Sequence, residues 1–122
     1  MTTLAAWVVA LLCGGVAVFH IAASLGARVG PWTQGGAHPG ALPGLNRGFA
    51  AVSAGLMVAL ALAVLSQVGQ GPGWPRWSGW VAVGVLAVAV LVNLATPSRR
   101  ERQLWVPVTL VMLGCALVVM RG

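Results

Sequence analysis

Few side chains in this chain are able to do chemistry, and most of them fall in or beside its apolar stretches. His20 and Ser24 stand four apart, a spacing that puts both on one face if the segment is helical. Asn93 and Thr96 fall near the end of another apolar stretch, and Arg47 precedes a third. A histidine beside a serine is the minimal base and nucleophile pair, but no acid stands near it in sequence to orient the imidazole. No catalytic residue is therefore assigned, and the balance leans away from an enzyme. Cys13 and Cys115 lie far apart in apolar runs and form no C-x-x-C, so neither a redox pair nor a metal site is indicated. One imidazole is enough to ligate a haem or pigment iron or magnesium, yet His20 alone does not select that role, and the cofactor is left open.

Two readings of the polar set stay open. In one, His20 bonds Asn93 or a backbone carbonyl, a purely interhelical contact worth about 1 kcal/mol. In the other, His20, Ser24, Arg47, Asn93 and Thr96 form a pocket that takes a small ligand or an anionic lipid head group.

The elements that must position these residues follow from composition. Of 122 residues, 59% are hydrophobic and only 7% are charged, with a mean hydropathy of +0.93. Soluble domains carry about 25% charged residues, so the chain belongs to the membrane class. A helix crosses the hydrocarbon core in about 20 residues. Four such segments are predicted, over about 4–27, 49–68, 77–95 and 99–120, giving an all-α integral membrane four-helix bundle. Period-two alternation is absent, which argues against a β-barrel. One domain is expected, with a Gly/Pro-rich cytoplasmic loop at about 26–48. Leu12-Cys13-Gly14 lacks the flanks of a lipoprotein cleavage site, so the first helix is expected to be retained.

The net charge of +6 comes from seven arginines against the single acid Glu101. Their placement explains them without nucleic acid: Arg28, Arg47, Arg99, Arg100 and Arg102 share one side, and Arg76 and Arg121 the other. The positive-inside rule then puts both termini outside. Trp74, Trp77 and Trp80, with Trp7, would mark the outer interface and Trp105 the inner one. Ser98 and Glu101 have capping-box spacing at the start of the fourth helix, which gives the only acid a structural role. Pro107 predicts a kink near 103–107. Ladders of small residues, Ala51-Gly55-Ala59-Ala63 and Ala6-Ala10-Gly14, suit close helix packing.

The long loop holds seven glycines and three prolines between Gly26 and Gly48, around Trp32, His38 and Arg47. It reads either as a loose linker or as a folded cap, the latter favoured by Pro39-Gly40 and Pro43-Gly44 turns.

The segment Asn93-Leu94-Ala95-Thr96-Pro97-Ser98, with Glu101, Trp105, Pro107 and Val108, resembles the signature of a group of small bacterial four-span membrane proteins. Phe19-His20, Ser24, Gly26, Gly35-Gly36, Pro39-Gly40 and Leu42-Pro43 are similar to that group's first-helix end and loop. Gly26 to Trp32 departs from the compact Gly-Ala-Pro-Trp-Gly expected there. The resemblance implies the fold, the topology and a bacterial cytoplasmic membrane, and it implies no activity.

Among functions, a proton-coupled drug exporter would need an intramembrane carboxylate, and the apolar spans supply none. A dual-topology channel conflicts with the arginine bias. The favoured expectation is a non-catalytic accessory or scaffolding subunit, partnered by lipids and by other membrane subunits or copies of itself. The alternative is a binder of a lipid head group or small ligand in a cytoplasm-facing pocket.

Overall fold

Uninterrupted apolar stretches leave the backbone no hydrogen-bond partner in lipid but itself. The computed structural model describes residues 1–122 and resolves that demand as four α-helices. They are α1 (Thr2–Ser24), α2 (Gly44–Ser66), α3 (Arg76–Ala95) and α4 (Arg99–Arg121). At 1.5 Å per residue they span about 30–35 Å, and all four are long and apolar enough to cross a membrane. There is no strand.

Two helix ends differ from the sequence expectation. The first helix stops at Ser24 rather than Ala27, because Gly26 turns the chain at φ +102°. The second begins at Gly44, five residues earlier than expected. Pro43 stands before it in an extended conformation, and its carbonyl accepts the Arg47 N–H at 2.9 Å to close the first turn. Pro107 does not interrupt α4, which is one helix from Arg99 to Arg121.

In section the helices form a ring in chain order. The α1–α2 contact is the most extensive, and the α2–α3 seam is the thinnest. The core fills the half of the bundle nearer the termini. It is built from Ala6, Val9 and Cys13 of α1, Leu60 and Val64 of α2, Leu86 of α3, and Met112, Ala116 and Met120 of α4. Only 27 of the 122 residues are buried, while Leu11, Val52 and Leu91 are 73%, 72% and 65% exposed. Such a surface is stable only where lipid is the solvent.

The small-residue ladders meet the interior at one end only. Ala63 is buried, Ala59 half-buried, and Gly55 and Ala51 exposed. Each step of four residues advances 400° at 3.6 residues per turn, so a ladder drifts about 40° per rung around the helix. The same drift takes α1 from buried Ala6 to exposed Gly14. At the loop end the α2 residues that face inward are Ala50 and Ala54.

The segment between α1 and α2 is a folded cap. It makes two short 3-10 turns, at Gly30–Trp32 and Gln34–Gly36. Gly30 donates to the Gly40 carbonyl at 2.9 Å, and a Cβ at Gly30 would lie 1.9 Å from the His38 carbonyl oxygen. Only glycine permits that crossing. Leu42 tucks beneath, packed with Ala23 and Ala50 in a small second core.

Candidate functional site

Between the core and the cap, α2 and α3 stand apart and leave a cavity of about 790 Å³. Its polar wall comes from every helix: His20 of α1, Ser53 of α2, Asn93 of α3 and Glu101 and Thr109 of α4, with Thr96 just beyond α3. Thr33, Gln34 and Gly35 of the cap close the end. Toward the middle of the bundle the wall turns apolar, through Leu56, Met57, Val85 and Leu86. A second, almost wholly apolar cavity of about 380 Å³ continues along the same seam past Leu56 and Val85, which line both, to Trp74 and Trp77. The seam is thus a cleft with hydrogen-bonding groups at the cap end and hydrocarbon at the other.

Of the five sequence candidates, the structure brings three together. His20, Asn93 and Thr96 line the cavity; Ser24 and Arg47 do not. Ser24 donates back to the Ile21 carbonyl at 2.8 Å, one turn earlier on its own helix. Arg47 is turned into the cap, where its Nε donates to the Leu42 carbonyl at 2.9 Å and its guanidinium lies against Gly26. The proposed contact between His20 and Asn93 is not made: the buried Nδ1 of His20 has no hydrogen-bond partner. His20 instead presents its ring edge-on to Phe19, 5.5 Å between centroids, and Phe19 meets Trp105 at 4.8 Å.

Glu101 departs most from its expected role. Half of the capping box forms, since Ser98 Oγ accepts the Glu101 N–H at 3.2 Å. The reciprocal half does not. The Ser98 N–H goes to Thr96 Oγ1 at 3.3 Å, and the Glu101 carboxyl accepts the Gly35 N–H of the cap at 2.8 Å. At 6% exposure, the only acid in the chain is buried on the cavity wall. Trp105, expected to mark the inner interface, donates its indole N–H to the Trp32 carbonyl at 2.6 Å. Ser98 Oγ donates to the Pro31 carbonyl at 2.5 Å, and Arg100 lies 5.3 Å over the Trp32 ring. The first two turns of α4 therefore clasp the cap.

The hydroxyls on the wall are partly committed. Ser53 donates to the Phe49 carbonyl at 2.9 Å and Thr109 to the Trp105 carbonyl at 2.7 Å, which satisfies their protons within their own helices and leaves oxygen lone pairs free. Gln34 and Asn46 form a reciprocal pair, Gln34 Nε2 to the Asn46 carbonyl at 2.9 Å and Asn46 Nδ2 to Gln34 Oε1 at 2.5 Å. That pair holds Gln34 at φ +50°, a conformation costly for a non-glycine residue. Ser53, Thr109 and Gln34 were not singled out in the sequence. Ser53 and Thr109 had a usable signal as isolated polar residues within apolar spans; Gln34 had none.

No group of three or more histidine, cysteine or acidic side chains is placed to hold a metal ion. No family model, curated protein or solved structure matches this chain.

Proposed function

We propose that this four-helix membrane protein binds a small lipid-soluble amphiphile in the cleft between α2 and α3, with the ligand's polar head under the cap and its tail toward Trp74 and Trp77. The observation that carries this reading is the segregation of the cleft into a polar end and an apolar end. Its larger cavity lies within the roughly 300–1,000 Å³ range of small-molecule sites. The orphaned Nδ1 of His20 adds weight, since a buried polar nitrogen without a partner costs about 1–3 kcal/mol. We place the protein in a bacterial cytoplasmic membrane, cap inward and termini outward. That placement follows from the arginine bias and the resemblance of the Asn93–Val108 segment to small bacterial four-span proteins.

A second reading, an accessory subunit of a larger membrane complex, has one observation of its own. Gly14 and Gly15 of α1 and Gly55 of α2 face open space, and such positions let a partner helix approach closely. Native mass spectrometry of protein extracted gently from its own membrane separates the two. Ligand binding predicts a lone chain carrying a defined small mass, lost in Ala89→Phe, which fills the cavity wall without removing a polar group. A reproducible larger assembly with no small adduct would favour the subunit and count against the cleft.

A further inference from the structure

The polar end of the cleft also constrains the charge of what it holds. This step rests on the amphiphile-binding reading and specifies its ligand. None of the residues lining the larger cavity is an arginine. The nearby guanidinium groups have other commitments: Arg47 on the Leu42 carbonyl, Arg102 Nη1 on the Thr96 carbonyl at 2.7 Å, and Arg100 over Trp32. The one acidic side chain on the wall, Glu101, brings no positive charge in either protonation state. An anionic head would thus enter a low-dielectric site with no guanidinium to pair with and only the imidazole of His20 as a basic neighbour, a placement whose desolvation cost is poorly repaid.

A cationic head meets the opposite difficulty. Five of the seven arginines, Arg28, Arg47, Arg99, Arg100 and Arg102, belong to the cap end of the bundle, against the one acid there. Their summed field opposes a cation approaching from that side. What the wall does offer is neutral hydrogen bonding. The Asn93 amide makes no hydrogen bond within the protein and can both donate and accept, and the Ser53 and Thr109 oxygens can still accept.

We infer that the ligand has an uncharged, hydrogen-bonding head, of hydroxyl or carbonyl type, and that the Asn93 amide is its principal contact. This differs from the anionic head group expected from sequence, a reading that included Arg47 in the pocket, whereas Arg47 is turned into the cap.

The test uses the full-length protein in neutral detergent and three probes with the same dioleoyl chains. These are dioleoylglycerol, dioleoylphosphatidic acid and the cationic dioleoyl trimethylammonium propane, titrated by native mass spectrometry against wild type, Ala89→Phe and Asn93→Leu. Dioleoylglycerol should bind wild type at least ~10-fold more tightly than either charged probe. Asn93→Leu should weaken it by roughly 5- to 10-fold at unchanged Tm, since Asn93 has no partner within the fold. Tightest binding of a charged probe, lost in Ala89→Phe, would overturn the neutral-head inference and leave the cleft standing. Equal binding to wild type and Asn93→Leu would overturn the role of Asn93. If no probe distinguishes wild type from Ala89→Phe, the inference and the binding proposal fall together.

Discussion

Glu101 is buried on the cavity wall in the first turn of α4. Three residues after a serine, it satisfies the spacing of a capping box, and the backbone half of that motif does form. Its carboxyl had two available donors, the Ser98 N–H and the Gly35 N–H, and it takes the second. The Ser98 N–H is already met by Thr96 Oγ1, whereas the Gly35 amide is otherwise without a partner. Leaving a donor unpaired beneath the cap would cost more than leaving the box incomplete. Removing the acceptor with Glu101→Ala should therefore loosen the cap. A hydrogen bond to a carboxylate is worth about 1.5–3 kcal/mol, so Gly35 amide exchange should accelerate by roughly 10- to 100-fold. Unchanged exchange at Gly35 would mean that the cap is held elsewhere.

At the scale of elements, the start of α4 organises the loop end of the molecule. Ser98 caps the helix and donates to Pro31, Glu101 takes Gly35, and Trp105 takes Trp32, so consecutive turns of one helix hold one segment of the cap. Ser98→Ala removes both bonds of its hydroxyl. Loss of the cap interaction alone costs about 1 kcal/mol, and the lost tie to Pro31 should add to it. Thermal unfolding should show the combined loss, and trypsin should cut faster after Arg28 in the cap. A variant as stable and as resistant as wild type would remove Ser98 from this clasp.

The helices were legible because length and apolarity alone fix a transmembrane span, and α3 and α4 fall within a residue of expectation. The ends of α1 and α2 were less so, since Gly26 and Pro43 act through local backbone geometry that hydropathy does not register. The lining of the candidate cavity was legible in part. His20, Asn93 and Thr96 announced themselves as polar groups in or beside apolar runs. Arg47 differs because a second helix beginning at Phe49 leaves its side chain free to reach the bundle. In the structure α2 already includes Arg47, and the guanidinium serves the cap. The cleft itself had no signature, because a thin α2–α3 seam is a property of packing between segments and not of any one of them.

The whole molecule is asymmetric in two ways that point along one axis. Core packing fills the half near the termini, and the cavity and cap occupy the other half. Charge follows the same division, with five arginines at the cap end and two opposite. Exposed Trp7, Trp77 and Trp80 lie at the end with fewer charges, where indole rings favour a membrane interface. The proposed orientation is open to direct test. In a Cys13→Ala, Cys115→Ala background, an impermeant maleimide added to intact cells should label a cysteine placed at Gly122 and spare one placed at Arg99. The reverse pattern would put the cap outside.

The cleft is the centre of this account, and photolabelling maps its occupant most directly. A monoacylglycerol carrying a diazirine in its chain would be incorporated with the protein in bilayers, irradiated, and the labelled residues located by peptide mass spectrometry. Binding in the cleft predicts label concentrated on Leu56, Met57 and Val85, residues less exposed than or comparable to the outer faces, and loss of that label in Ala89→Phe. Label spread over Leu11, Leu91 and Leu110 in proportion to their exposure, and unaffected by the substitution, would contradict it.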